Sequence, residues 1–267
     1  MWTLLFNIYI WFAIILLTIL GLAVLPVILL VNCLFLKRTL AAGLRRAIRF
    51  YGWVLVCCVP FLAPVKVEYP VGKLPTNAIF VANHNSAIDP YLFGAIPREN
   101  SFVTSWPFKI PLYGFFMRLA QYANTLEGWD EVCRKCTRLL GAGSCVTIWP
   151  EGHRSRDGRL GRFKNGAFVL AAENGYPIVP VCILGSRSVL PPGKRLLRPG
   201  RVKLVVLESI IAEDSGDRQE RVRELRFRAR TAIEHTLELN GHFTCTQPEI
   251  RDVSLVDEDR PAVSILS

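Results

Sequence analysis

His84 and Asp89 stand five positions apart in VANHNSAIDP, immediately after the apolar run AIFVAN. On one continuous helix that spacing turns the two side chains about 140° from each other, so only a loop can bring them together. Asp89-Pro90 ahead of YLFGAI has the form of a helix N-cap followed by proline at the first helical position, which puts His84 at a strand end and Asp89 where a helix begins. A neutral imidazole so placed can act as a general base, while the carboxylate fixes its tautomer and stabilises the imidazolium that forms. Ser86 is a possible nucleophile, but it lies only two residues from His84 and better suits shaping the loop. The proton to be removed then belongs to a substrate hydroxyl that attacks an acyl or similar group directly. Spacing alone is a weak signal, because an Asp before Pro is also an ordinary helix cap.

A second constellation, IWPEGHRSRDGRLGRFKNGAF at 148–168, also leaves the end of an apolar run. Gly152 permits a tight strand exit. Glu151, Arg154, Arg156, Arg159, Arg162 and Lys164 charge the segment densely; arginine suits bidentate contact with phosphate or carboxylate, and backbone N–H groups at a following helix start add to it. A plain basic surface loop has the same composition. Two such loops at one sheet end, beside an apolar N-terminus, suggest chemistry on a lipid. Cys133 and Cys136 form a lone Cys-x-x-Cys within a helical pattern and read as two thiols, one on a buried face.

These loops need strands and helices to hold them. Strand-like runs at 65–69, 78–83, 101–104, 145–150, 177–184 and 202–208 alternate with helical patterns near 90–96, 111–121, 128–141 and 164–174, which predicts an α/β domain with a largely buried sheet. From 215 to 239, Val222, Leu225, Ala229, Ile233 and Leu237 recur at helical spacing, so an amphipathic helix follows, its arginines on a solvated face. The resulting division is a membrane-embedded helical region over 1–63, an α/β domain over 64–212, the amphipathic helix over 213–240, and a poorly ordered tail over 241–267.

Of the 267 residues, none from Met1 to Leu36 is Asp, Glu, Lys, Arg or His. A helix of that length reaches roughly 54 Å, well beyond a ~30 Å hydrocarbon core, so tilt or a bend near Gly21 and Pro26 is expected. No basic residue precedes the run and no small-residue cleavage site closes it, unlike a cleaved secretory signal. The cluster Lys37, Arg38, Arg45, Arg46 and Arg49 marks the cytoplasmic side. A second apolar stretch, 50–65, is interrupted by Pro60 and Pro64 and suits an interfacial helix. The expectation is a hairpin, or one span with a monotopic helix, and a catalytic domain on the cytoplasmic face, at the inner membrane if the chain is bacterial. The net charge of +10 adjoins apolar segments and no recognised nucleic-acid module, so anionic lipid headgroups are the simpler partner. Eight cysteines show no disulfide-scaffold spacing.

With these motifs in order, the chain resembles the lysophosphatidic acid acyltransferase-like glycerolipid acyltransferases. NHNSAID is similar to that family's Asn-His-x-Ser-x-x-Asp motif and IWPEGHRS to its Phe-Pro-Glu-Gly-Thr-Arg-Ser motif; FKIPLYGFFMRL, FKNGAF and YPIVPV also fit, over about 65–208. The resemblance implies a mixed sheet flanked by helices and a membrane-bound O-acyltransferase. It makes His84 the base and Asp89 its partner, with Asn83, Ser86, Glu151, Gly152, Arg154 and Lys164 on the acceptor side and Pro180 near the acyl donor. Acyl-CoA or acyl carrier protein would be the co-substrate, with no bound cofactor or metal. The family's second motif usually carries an Arg, preceded some twenty residues earlier by a Lys; here an ungapped alignment puts Glu127 and Ser105 there. Charge-assisted contacts are worth ~1.5–3 kcal/mol each, so this predicts a weakened phosphate site; the acceptor hydroxyl is expected on 1-acyl-glycerol-3-phosphate or another lysophospholipid, the headgroup being open. The alternatives are a lyso-aminolipid such as lyso-ornithine lipid, glycerol-3-phosphate, or an inactive membrane-anchored lipid-binding protein.

Overall fold

The computed structural model describes residues 2–70, 73–213 and 216–240; the expected tail and Cys245 lie outside them. Its six strands are β1 (Val65–Glu68), β2 (Ile79–Ala82), β3 (Asn100–Phe102), β4 (Cys145–Ile148), β5 (Ile178–Leu184) and β6 (Val202–Val206). The helices are α1 (Trp2–Leu34), α2 (Leu40–Trp53), α3 (Asp89–Leu92), α4 (Pro111–Leu119), α5 (Trp129–Gly141), α6 (Gly166–Asn174), α7 (Ser186–Val189) and α8 (Arg218–Leu239). The strands form one sheet in the order β1-β6-β5-β2-β4-β3. All neighbours are parallel except β5 and β6, so the sheet is mixed.

Every residue of β2, β4 and β5 is buried, which is why these strands read as unbroken apolar runs. Alternate side chains point to opposite faces. Ile79, Val81, Val146 and Cys182 pack with Leu139, Phe168, Leu225 and Ile233 of α5, α6 and α8. Phe80, Ala82, Val181 and Ile183 pack on the other face with Leu92, Phe93, Leu55 and the N-terminal part of α1. All five apolar positions expected on α8 are buried. Several of its arginines are held by neighbours, Arg218 by Glu173, Arg226 by Asn165, Arg228 by Glu224 and Arg230 by Glu234, as a solvated helix face would be.

At 33 residues α1 is long and apolar enough to cross a membrane, running unbroken through Gly21 and Pro26. It is also part of the domain. Phe6, Asn7 and Ile10 are buried, and the Asn7 amide both donates to the Leu197 carbonyl (3.0 Å) and accepts from its N–H (2.8 Å). Ile8, Phe12, Ile15, Ile19 and Val27, on the outward face, are exposed. α2 folds back on α1 as a hairpin, with Gly43 against Leu29 and Asn32 and a Thr18–Tyr51 hydroxyl contact of 2.7 Å. Beyond Trp53 it relaxes into a π-turn, Val54–Cys58, which buries Leu55 and Val56 in the sheet's core and leaves Phe61 after it in solvent.

Part of the basic cluster is engaged within the fold. Arg45 is buried, and its guanidinium donates to Glu99 (2.8 Å) and to the Ala120 carbonyl (3.0 Å). Arg46 pairs with the other Glu99 oxygen at 2.9 Å, and Arg49 donates to the carbonyls of Gly94 and Ile96. Three of the five cations thus clamp α2 to the α/β domain. The clamp works at backbone contact: a Cβ on Gly94 would lie 2.3 Å from the Trp53 nitrogen and 2.6 Å from the Gly52 carbonyl carbon. Since backbone cannot rotate away, Gly94→Ala is expected to cost about 1–3 kcal/mol as an overpacked contact. The check is a lower thermal midpoint in detergent.

Candidate active site

β2 and β4 run parallel, with Val81 beside Ile148, so the two motif-bearing loops leave the sheet at the same end. Ligand crevices open at the carboxyl ends of strands in such sheets. His84 follows β2 and is fixed from several sides. Its backbone N–H donates to Glu151 Oε1 (2.9 Å), its carbonyl accepts from the Ser155 N–H (2.7 Å), and its ring Nδ1 lies 2.8 Å from Asp89 Oδ2. The indole of Trp149 stacks on the imidazole with centroids 4.8 Å apart.

Asp89 is fully buried, and its Oδ2 also accepts the N–H groups of Asn85 (2.8 Å) and Ser86 (2.9 Å). Its carboxylate therefore turns back into the loop. The expected cap is corrected accordingly: Ile88 occupies the N-cap and Asp89 is the first helical residue. With two backbone donors already on Oδ2, the carboxylate is held as the acceptor for His84 Nδ1–H, and Nε2 is left as the ring nitrogen able to take a proton.

Glu151 staples the two loops. Its Oε1 holds His84 and its Oε2 accepts the Gly161 N–H at 2.9 Å. Burial pushes its carboxyl above the usual range, while those two N–H donors oppose the shift. The residue is 3% exposed and holds a backbone N–H on each oxygen, which positions the two loops. Asn83 is likewise engaged, exchanging two hydrogen bonds with Ile183 of β5 (2.9 and 2.7 Å). Ser86 donates to the Leu190 carbonyl. Pro180 is buried within β5, paired with Val81, and its carbonyl accepts from Leu207. These three sit around the site as framework.

A cavity of about 770 Å³ opens over His84 and Trp149, and Gly152, His153, Arg154, Arg156 and Lys164 line it. Gly152 has φ +75°, and a Cβ there would meet Lys164 Nζ at 2.8 Å. Glycine at this turn gives the lysine its route into the cavity. Ser105 and Thr125 line it as well. Glu127 is not among the lining residues and is paired with Lys135, so its charge is neutralised away from the cavity. The cations lining the cavity come from the 152–164 loop. The sequence reading passed over Trp149 and Ser155; the one available signal was an aromatic residue directly between strand and Pro-Glu-Gly. Cys133 and Cys136 are remote, packed on α5 against the core, and burial pushes both thiols up to about 12.

The cavity joins an imidazole held by a carboxylate to a group of cations, an arrangement suited to deprotonating a hydroxyl on an anionic molecule. Residues 68–184 match the acyltransferase family model. The chain is 32% identical over 168 residues to the chloroplastic 1-acyl-sn-glycerol-3-phosphate acyltransferase of Arabidopsis thaliana, covering 59% of this chain and 46% of that protein. It is 34% identical over 179 residues to a 1-acyl-sn-glycerol-3-phosphate acyltransferase of Chlamydomonas reinhardtii, covering 64% and 52%. The chain spans about half the length of these curated relatives. Its fold is similar to that of the 1-acyl-sn-glycerophosphate acyltransferase PlsC from Thermotoga maritima, with a TM-score of 0.70 at 24% identity over 91% of this chain and 98% of that one.

Proposed function

We propose, from the acyltransferase domain that residues 68–184 form, that the chain transfers a fatty acyl group from a thioester to the free hydroxyl of a lysophospholipid, with lysophosphatidic acid as the leading acceptor. The observation that carries this reading is the His84 Nδ1–Asp89 contact of 2.8 Å beside a cavity lined by Arg154, Arg156 and Lys164. His84 Nε2 takes the acceptor's hydroxyl proton as the oxygen attacks the thioester carbonyl. Asp89 stabilises the imidazolium, which returns the proton to the departing thiolate as the carbon–sulfur bond breaks. No covalent enzyme intermediate is required. The three cations suit a phosphate headgroup, through charge-assisted hydrogen bonds. The donor is acyl-CoA or acyl carrier protein.

The outward apolar face of α1, together with exposed Phe50, Trp53 and Phe61, supports attachment to a membrane, the source of both lysolipid and product. The α/β domain then lies on the cytoplasmic face, at the inner membrane if the chain is bacterial.

The test is purified protein in detergent with a panel of lysolipid acceptors against both donor types, read by mass spectrometry. Phosphatidic acid is expected from lysophosphatidic acid, and Arg154→Ala should raise KM for that acceptor about tenfold or more, the equivalent of one charge-assisted contact. No transfer to any lysophospholipid would overturn the reading. A second acceptor, a lyso-aminolipid, is favoured by one observation, the uncharged Ser105 lining the cavity where the family pattern has a cation. Preference for a lyso-ornithine lipid in the same panel would establish it.

A further inference from the structure

Trp149 performs no step in the acyl-transfer scheme, yet it is pressed closely against the base. Its indole and the His84 imidazole stack at 4.8 Å with 29° between planes. Phe102 stacks on the same indole at 5.6 Å and 26°, and Phe93 meets it edge-on at 6.0 Å. The indole is thus wedged among rings, 8% exposed. Its Nε1–H is sealed from solvent and finds no acceptor among the described residues.

A buried donor left unpaired weakens a fold. Phenylalanine would keep an aromatic surface against Phe102 and Phe93 without that donor, but with a smaller ring in a packed site. What tryptophan adds is the ring face with the strongest attraction for a cation. His84 is neutral when it meets the acceptor and cationic once it has taken the proton, so the stack favours the imidazolium over the starting state. Interactions that strengthen as charge develops are the ones that raise kcat. The charged surroundings make such help useful. Asp89 and the Glu151 carboxylate favour a positive ring, whereas His153, Arg154, Arg156 and Lys164 line the same cavity, and its cations oppose one.

We propose that Trp149 is a positioning residue that holds the His84 ring in line with Asp89 and stabilises its imidazolium during acyl transfer. This rests on His84 as the base. The test is a series, Trp149→Phe and Trp149→Leu, measured in detergent for kcat, KM for lysophosphatidic acid and for acyl-CoA, and thermal midpoint, with the Leu change also made in His84→Ala. The expected kcat falls about threefold for Phe and about tenfold or more for Leu, following the loss of ring-face attraction, with both KM values within about twofold. The thermal midpoints separate lost packing, expected to grow from Phe to Leu, from the loss of rate. In the His84→Ala background the Leu change should leave the residual rate unaltered. Undiminished kcat in Trp149→Leu, a loss carried by KM alone, or a further loss in the His84→Ala background would each overturn the proposal. Full activity of His84→Ala would instead overturn the assignment of the base, and with it this one; an inactive His84→Ala beside a fully active Trp149→Leu would overturn this one alone.

Discussion

Alanine at position 84 is expected to lower kcat about 10³-fold, within the range general acid–base catalysis supplies, with no change in folding or in membrane fractionation. The two expectations are separable because His84 serves the fold and the chemistry with different atoms. Its backbone N–H and carbonyl hold Glu151 and Ser155, and both survive in the variant. Asp89 keeps the Asn85 and Ser86 N–H donors, so its carboxylate is not stranded. What disappears is the imidazole alone. Single-turnover acyl transfer with saturating donor, beside a thermal melt, reads both quantities. Equal rates in the two proteins would mean that some other group removes the hydroxyl proton.

Glu151→Gln tests the staple between the loops and should affect fold and rate together. The carboxylate offers one oxygen to His84 N–H and one to Gly161 N–H. An amide offers a single oxygen and turns its NH₂ toward the other donor, leaving a buried N–H unpaired at a cost of about 1–3 kcal/mol. Because the loop carrying Arg154 and Lys164 is then misaligned with His84, acyl transfer should fall about 10²-fold, the penalty typical of small misplacements of reacting groups. The pH dependence gives an independent readout. Burial raises the folded carboxyl above its unfolded value, so between the two the folded state binds the extra proton. Stability from the neutral form is therefore present below the unfolded value and lost as pH rises through the raised folded one. Melting midpoints across that acidic window should decline with pH more steeply in the parent than in the Gln variant. Parallel curves would remove the buried carboxylate as their cause.

All six strands and the main helices of the α/β domain were legible because each leaves a local trace: continuous apolar runs where both sheet faces are covered, and three-to-four spacing where one helix face is. β3 begins at Asn100, a polar residue no run would include, whose side-chain amide donates to Thr147 Oγ1 at 2.6 Å while its Oδ1 finds no partner among the described residues. The sheet order and the single antiparallel pairing of β5 and β6 left no trace, since pairing between distant segments has no local signature. In the site, His84 and Asp89 were readable as a pair, but the engagement of Asn83, Ser86 and Glu151 with backbone was not, because motif position does not reveal where a side chain points. The arginines of α2 show the same limit. A basic run beside an apolar helix has the composition of a membrane-surface signal, and only the placement of Glu99 and of the Ala120 carbonyl makes it an internal clamp.

The burial of Phe6 and Ile10 in the sheet's core has a practical side for anyone wishing to handle this chain in water. Cutting at residue 64 would strip the cover from Phe80, Val181 and Ile183 and leave the nearly buried Glu99 without Arg45 and Arg46. A water-soluble form is better sought by repainting than by trimming. Polar substitutions confined to Ile8, Phe12, Ile15 and Ile19, which face outward, would make the exposed face of α1 less apolar while keeping its inner face and the Asn7–Leu197 tie.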